Sequence, residues 1–213
     1  MELIKEFIDL FLHLDKNLLK LFSEYGTLTY LILFAIIFIE TGFVIMPFLP
    51  GDSLLFAAGA FASTGSLNIS VLFLLLASAA IAGDNVNYAV GNFMAPKIFS
   101  GKKIKFLNHE HLERTHKFYE KHGGLTIIIA RFFPIIRTFS PFVAGLGRMT
   151  YRKFLPFDIL GGFSWVSIFL FGGYFFGNLP FVKNNFSIVI IAIILISAVP
   201  ALVGFIKSRR AAK

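Results

Sequence analysis

Arg131 and Arg137 stand six residues apart in IIIARFFPIIRTFSPFVAG, one of the most apolar stretches of a 213-residue chain, with Pro134 between them. A guanidinium is a planar five-donor fork that stays charged, suited to gripping a phosphate through two parallel hydrogen bonds. An arginine at bilayer depth costs at least about 2.5–3.5 kcal/mol on insertion scales, so two close together point to use. Three carboxylates have equally apolar surroundings: Glu40 in FIETG, Asp52 in LPGDS and Asp84 in AGDNVNY. This inventory suits the movement of an anion or of protons better than covalent chemistry.

Each of these residues also has a plainer reading. Either arginine can be neutralised by an internal acid, Arg137 by Glu40 for example. Desolvation favours the protonated carboxyl, which makes Glu40 the kind of group that takes up and releases a proton. Asp52 follows Pro50 and Gly51, where it can cap the next helix or couple an ion. Asp84 reads as structural, paired with an arginine or joined to Asn85 and Asn87 in a polar track. Asp158, in FLPFDIL, is placed at a membrane edge.

Other chemistries find little support. GxSxG, HExxH, Walker and dinucleotide-binding motifs are absent, and the apolar core offers no histidine nucleophile, so the chain is not expected to be an enzyme. Four of the five histidines fall in NHEHLERTHKFYEKHGG, a charged interfacial segment without zinc spacing, so neither metal nor cofactor is expected. The chain has no cysteine, which excludes disulfides and thiol catalysis. The single tryptophan, Trp165, and the 28 phenylalanines carry no ligand signal.

The elements that must hold these groups are membrane elements. Hydrophobic residues make up 56% of the chain, above the roughly 45–50% usual for soluble domains. The runs 67–93, 154–176 and 186–206 are long enough for simple spans, which take about 20 residues. Two others are broken, by Pro50 and Gly51 and by Pro134 and Pro141. Freed backbone at that depth is tolerated only against protein or a wet cavity, so 27–64 and 124–148 read as re-entrant hairpins. Leu3, Phe7, Leu10, Leu14, Leu18 and Leu21 recur at helical spacing, as in an amphipathic helix lying in the interface. That start lacks a signal-peptide pattern, so no removal is expected.

The formal charge of +8 is uneven: 25–96 contains no Lys or Arg, whereas 97–122 carries seven basic and three acidic residues. Basic segments flanking apolar runs follow the positive-inside rule and argue against nucleic acid as partner. They place 97–122, the loop RMTYRK and the C-terminal tail in the cytoplasm. A weak repeat at offset 97 aligns Gly26, Leu28, Thr29, Ile39 and Thr41 with Gly123, Leu125, Thr126, Ile136 and Thr138, setting Glu40 opposite Arg137. The expectation is one all-α membrane domain over 1–213. It has a first half at 1–96, an inverted second half at 97–178, and a last span with basic tail at 179–213, as in transporters built from inverted repeats.

The segments FIETGFVIMPFLPGDSLLFAAG (38–59) and ARFFPIIRTFSPFVAGLGRMTYRKF (130–154), joined by GDNVNYAVG, resemble the DedA family of bacterial inner-membrane proteins, which carry the VTT or SNARE-associated domain. The resemblance implies two opposed re-entrant hairpins and a setting in lipid-carrier recycling and proton-motive-force dependence. Some members are implicated in returning undecaprenyl phosphate across the cytoplasmic membrane, and eukaryotic relatives include lipid scramblases. It maps the family's acidic pair onto Glu40 and Asp52 and its arginine pair onto Arg131 and Arg137; Asp84, Pro50, Gly51, Pro134 and Thr138 are read from the sequence as supporting residues. The function this suggests is a proton-coupled flippase for a polyprenyl phosphate, with membrane lipids and protons as partners. An uncoupled phospholipid scramblase, a small-ion or proton antiporter and a non-transporting scaffold are the rivals.

Overall fold

The computed structural model describes residues 25–43, 51–99 and 123–197. The N-terminal amphipathic segment, Pro50, the basic histidine-rich segment through His122 and the tail lie outside them. Every regular element among the described residues is helical: α1 (Leu28–Gly42), α2 (Gly51–Ala62), α3 (Ile69–Phe99), α4 (123–130), α5 (Pro134–Leu146) and α6 (Tyr151–Val166). A five-residue π-turn, Ser167–Phe171, carries α6 on into α7 (Gly172–Phe176), and α8 (Pro180–Asn184) and α9 (Phe186–Ser197) follow.

Two helical stretches are long and apolar enough to cross a membrane: Ile69–Pro96 with 28 residues and Tyr151–Phe176 with 26. At 1.5 Å per residue each is roughly 40 Å long, against a hydrocarbon core of about 30 Å. The expected third span is described only as the 12-residue apolar helix α9. Among the described residues many large apolar side chains face outward and several charged ones inward. Leu74 and Phe93 on α3 are 59% and 67% exposed, while Glu40, Asp84, Arg131, Arg137 and Asp158 are at most 2% exposed. Apolar residues outside and charges inside match a bilayer solvent.

The chain resolves into two compact units that interleave along the sequence. The first comprises 1–36, 50–77 and 166–213, the second 37–49 and 78–165. In the first, all twelve residues of α2 are buried. A Cβ on Gly59 would lie 1.9 Å from the Leu170 carbonyl oxygen, and one on Gly173 1.9 Å from that of Phe56. Glycine therefore lets α2 meet the π-turn backbone to backbone. Asn68 caps α3, its Oδ1 accepting from the amides of Ser70 (3.0 Å) and Val71 (3.2 Å).

In the second unit α3 and α5 meet in the same way. A Cβ on Gly91 would sit 2.1 Å from the Phe142 oxygen, and one on Gly145 2.1 Å from the Tyr88 oxygen. The crossing is fastened by the Tyr88 hydroxyl, which donates to the Met149 carbonyl at 2.5 Å, and by Tyr88 stacking on Phe154. The Gly145→Ala variant is expected to lose on the order of 1–3 kcal/mol through overpacking. A wild-type melting temperature for the detergent-solubilised variant would count against this close crossing.

The proline expectations divide. Pro134 opens α5 at a first-turn position, where its missing amide costs nothing, and Phe133 before it is extended at φ −120°, ψ 106°. Pro141 lies inside α5 without ending it, and Pro156 does likewise in α6. The chain between 123 and 146 is thus interrupted once, at 131–133.

Candidate functional site

The interruption is where Arg131 sits. α4 closes in a tight turn, the amides of Arg131, Phe132 and Phe133 reaching back three residues to Ile128, Ile129 and Ala130. Arg131 then extends between α3 and α6. Its Nη2 ion-pairs with Asp84 of α3 at 2.5 Å and with Asp158 of α6, and also donates to the Asp158 backbone oxygen at 3.2 Å. Nε and Nη1 are equally buried and have no hydrogen-bond partner among the described residues. The guanidinium lies against glycines of α6: a Cβ on Gly161 would come within 3.0 Å of its Cδ and Nε, and one on Gly162 within 3.6 Å of its Cζ.

Arg137 lies one turn into α5, its amide donating to the Phe133 carbonyl at 2.7 Å. Its Nη2 pairs with Glu40, near the end of α1, and its Cζ sits 4.6 Å from the centroid of the Trp165 ring. Both charges oppose their own helix dipoles, a cation near an N-terminus and an anion near a C-terminus, at roughly 0.3–1 kcal/mol each. Helix stability therefore does not account for them; each corrects the other.

Asn87 fixes the join between these segments. Its amide nitrogen donates to the carbonyls of Thr41 (3.2 Å) and Thr138 (2.6 Å), the residues that follow Glu40 and Arg137. Gly83, one turn earlier on α3, admits Thr41, whose Oγ1 would be 2.0 Å from a Cβ there. The positions matched at offset 97 thus meet at one side chain.

On the other face of α3, Asn85 donates to Asp158 Oδ2 at 3.1 Å and accepts from the Tyr151 hydroxyl at 2.7 Å. The polar track expected of Asp84, Asn85 and Asn87 therefore divides between two faces of one helix. Asp158, expected at a membrane edge, is fully buried against Arg131. A carboxylate inside a 26-residue apolar helix was the available signal, overridden by the basic loop before it. Trp165, expected to be silent, carries the guanidinium of Arg137 on its face.

Asp52 belongs to the first unit, as the second residue of α2, 4% exposed in the first helical turn. Among the described residues of the second unit three buried carboxylates, Glu40, Asp84 and Asp158, face two buried guanidiniums, so full ionisation of these five would leave one excess negative charge.

The VTT domain family model matches residues 49–175. Protein DedA of Escherichia coli strain K12 is 50% identical over 214 residues, covering 100% of this chain and 98% of that protein. An uncharacterized membrane protein of Mycobacterium leprae is 42% identical over 182 residues, covering 84% of this chain and 82% of its own. The inner membrane protein YqjA of E. coli K12 is 33% identical over 180 residues, covering 84% and 81%. No solved structure matches the chain.

Proposed function

This chain belongs to the DedA family of VTT-domain membrane proteins, and on that footing we propose that it moves a phosphorylated lipid carrier, undecaprenyl phosphate or a close analogue, across the bacterial cytoplasmic membrane with the help of the proton gradient. The observation that carries the reading is Arg131. Its Nη2 is held by two carboxylates while Nε and Nη1, a buried donor edge, have no hydrogen-bond partner among the described residues. Leaving buried donors unmet costs about 1–3 kcal/mol, more for charged groups, a cost that an arriving phosphate oxygen would remove. The first-turn amides of α5, beside Arg137, add the partial positive charge of a helix N-terminus.

In this reading the two interrupted segments are re-entrant hairpins, the C-terminus is cytoplasmic, and the polyprenyl tail stays in lipid while the phosphate visits the arginines. Phosphate and Glu40 compete for Arg137. An anion entering a cluster that already has more carboxylates than guanidiniums must bring protons with it, and a proton on Glu40 releases Arg137. Asp52 is the second carboxylate proposed to exchange protons in this scheme. The same excess of carboxylates also fits a small-ion or proton antiporter.

The test is flipping of fluorescent undecaprenyl phosphate in proteoliposomes, with and without a pH gradient, beside a phospholipid control and Arg137→Lys. Selective, gradient-sensitive movement that falls at least tenfold in the lysine variant is the expected result, since lysine keeps the charge and loses the fork. Equal movement of all lipids without a gradient would make it a scramblase. Proton-linked ion flux with no lipid movement would make it an antiporter.

A further inference from the structure

Asp84 and Asp158 touch the same nitrogen of Arg131, which brings the two carboxyl groups together on one guanidinium. Their surroundings differ. Asp158 accepts from Arg131 Nη2 through Oδ1 and from Asn85 Nδ2 through Oδ2. Neither oxygen of Asp84 accepts an aligned hydrogen bond among the described residues, although the side chain is 1% exposed. A buried ionised carboxylate that shares its paired cation and accepts no aligned hydrogen bond is costly, and two ionised carboxylates side by side are only acceptors.

The remaining charges on the elements packed here relieve the conflict only in part, Arg137 being near enough to act on Asp84. Arg137 of α5 is paired with Glu40 of α1, Tyr151 of α6 gives its proton to Asn85 Oδ1, and Arg152 and Lys153 at the start of α6 are exposed. One guanidinium balances one carboxylate, leaving the second of the two aspartates in excess.

We propose that Asp84 and Asp158 form a proton-binding site on Arg131, holding one proton between them, with Asp84 Oδ1 or Oδ2 as the donor and Asp158 as the ionised acceptor. Like charges in contact ionise one at a time, so the proton belongs to the pair. This site is separate from Glu40. Its role as a coupling proton rests on the transport reading: a phosphate drawn to Arg131 would loosen the guanidinium from the aspartates and so link its arrival to the shared proton.

Infrared pH-difference spectroscopy of the full chain in lipid nanodiscs tests it without any lipid substrate. The wild type should show a protonated carboxyl carbonyl band at neutral pH that disappears on alkalinisation and shifts when aspartate, but not glutamate, carries carbon-13. Asp84→Asn should remove the band. Asp158→Asn should remove it too, because the remaining aspartate then pairs one-to-one with Arg131 and ionises. Glu40→Gln should leave it in place.

Survival of the band at wild-type strength in either aspartate variant would overturn the shared site, as would a band that shifts with glutamate labelling. If a variant does not fold, the labelled wild type measured beside Asp52→Asn, the other buried aspartate among the described residues, still decides. A band that behaves as expected in a protein that moves no lipid would retain the proton site and reject the transport reading.

Discussion

Arg131→Ala is expected to give protein that no longer survives purification as a monodisperse species. Removing one partner of a buried pair strands the other, at roughly 3–5 kcal/mol, and here a single cation serves two carboxylates. Against a total stability of about 5–15 kcal/mol that is a large fraction. The loss should be repaired by neutralising what is stranded: Arg131→Met with Asp84→Asn and Asp158→Asn should recover most of the melting temperature and carry no transport. Arg131→Lys should remain folded, since a point charge still faces both acids, yet fail to move lipid because the free edge of the fork is gone. The measurement is a thermal melt followed by size-exclusion fluorescence in detergent. Alanine melting within a few degrees of wild type would mean that the aspartates do not need the cation.

The chemistry of this site was more legible than its geometry. Charges stand out in an apolar run because the bilayer makes them expensive, so Arg131, Arg137, Glu40 and Asp84 could be singled out by composition alone. The interruption at Pro134 was legible for a similar reason, a residue without an amide. Its counterpart Pro141 was misread, because a proline inside a helix can be carried without ending it, as in α5.

The pairing was not legible. Which acid meets which arginine depends on how closely α1, α3, α5 and α6 approach, and that is set by small residues: Gly83 against Thr41, Gly91 and Gly145 across α3 and α5, Gly161 and Gly162 beside Arg131. Spacing along the chain does not encode those distances. Asn85 and Asn87 differ by two positions, hence about 200° around a helix, which puts one on Asp158 and the other on the Thr41 and Thr138 carbonyls. The repeat placed Glu40 and Arg137 at equivalent positions, and only tertiary structure brings equivalence to contact.

That contact yields the second large effect. Glu40→Gln and Arg137→Gln, made singly, each leave a buried charge and should each cost roughly 3–5 kcal/mol. Made together they leave none, and the double variant should lie far closer to wild type than the sum of the two losses, a coupling that a double-mutant cycle reads directly. Under the proposed function, transport should follow a different order. Both variants that lack Arg137 should be inactive whatever their stability, because the phosphate has lost its grip. Glu40→Gln should keep phosphate binding, with Arg137 still resting on Trp165 through an interaction worth about 0.5–2 kcal/mol, and should lose its response to the pH gradient. Additive stability losses would mean that the pair is not closed in the membrane. A double variant that still moves lipid would remove Arg137 from the mechanism, leaving Arg131 alone to meet the phosphate.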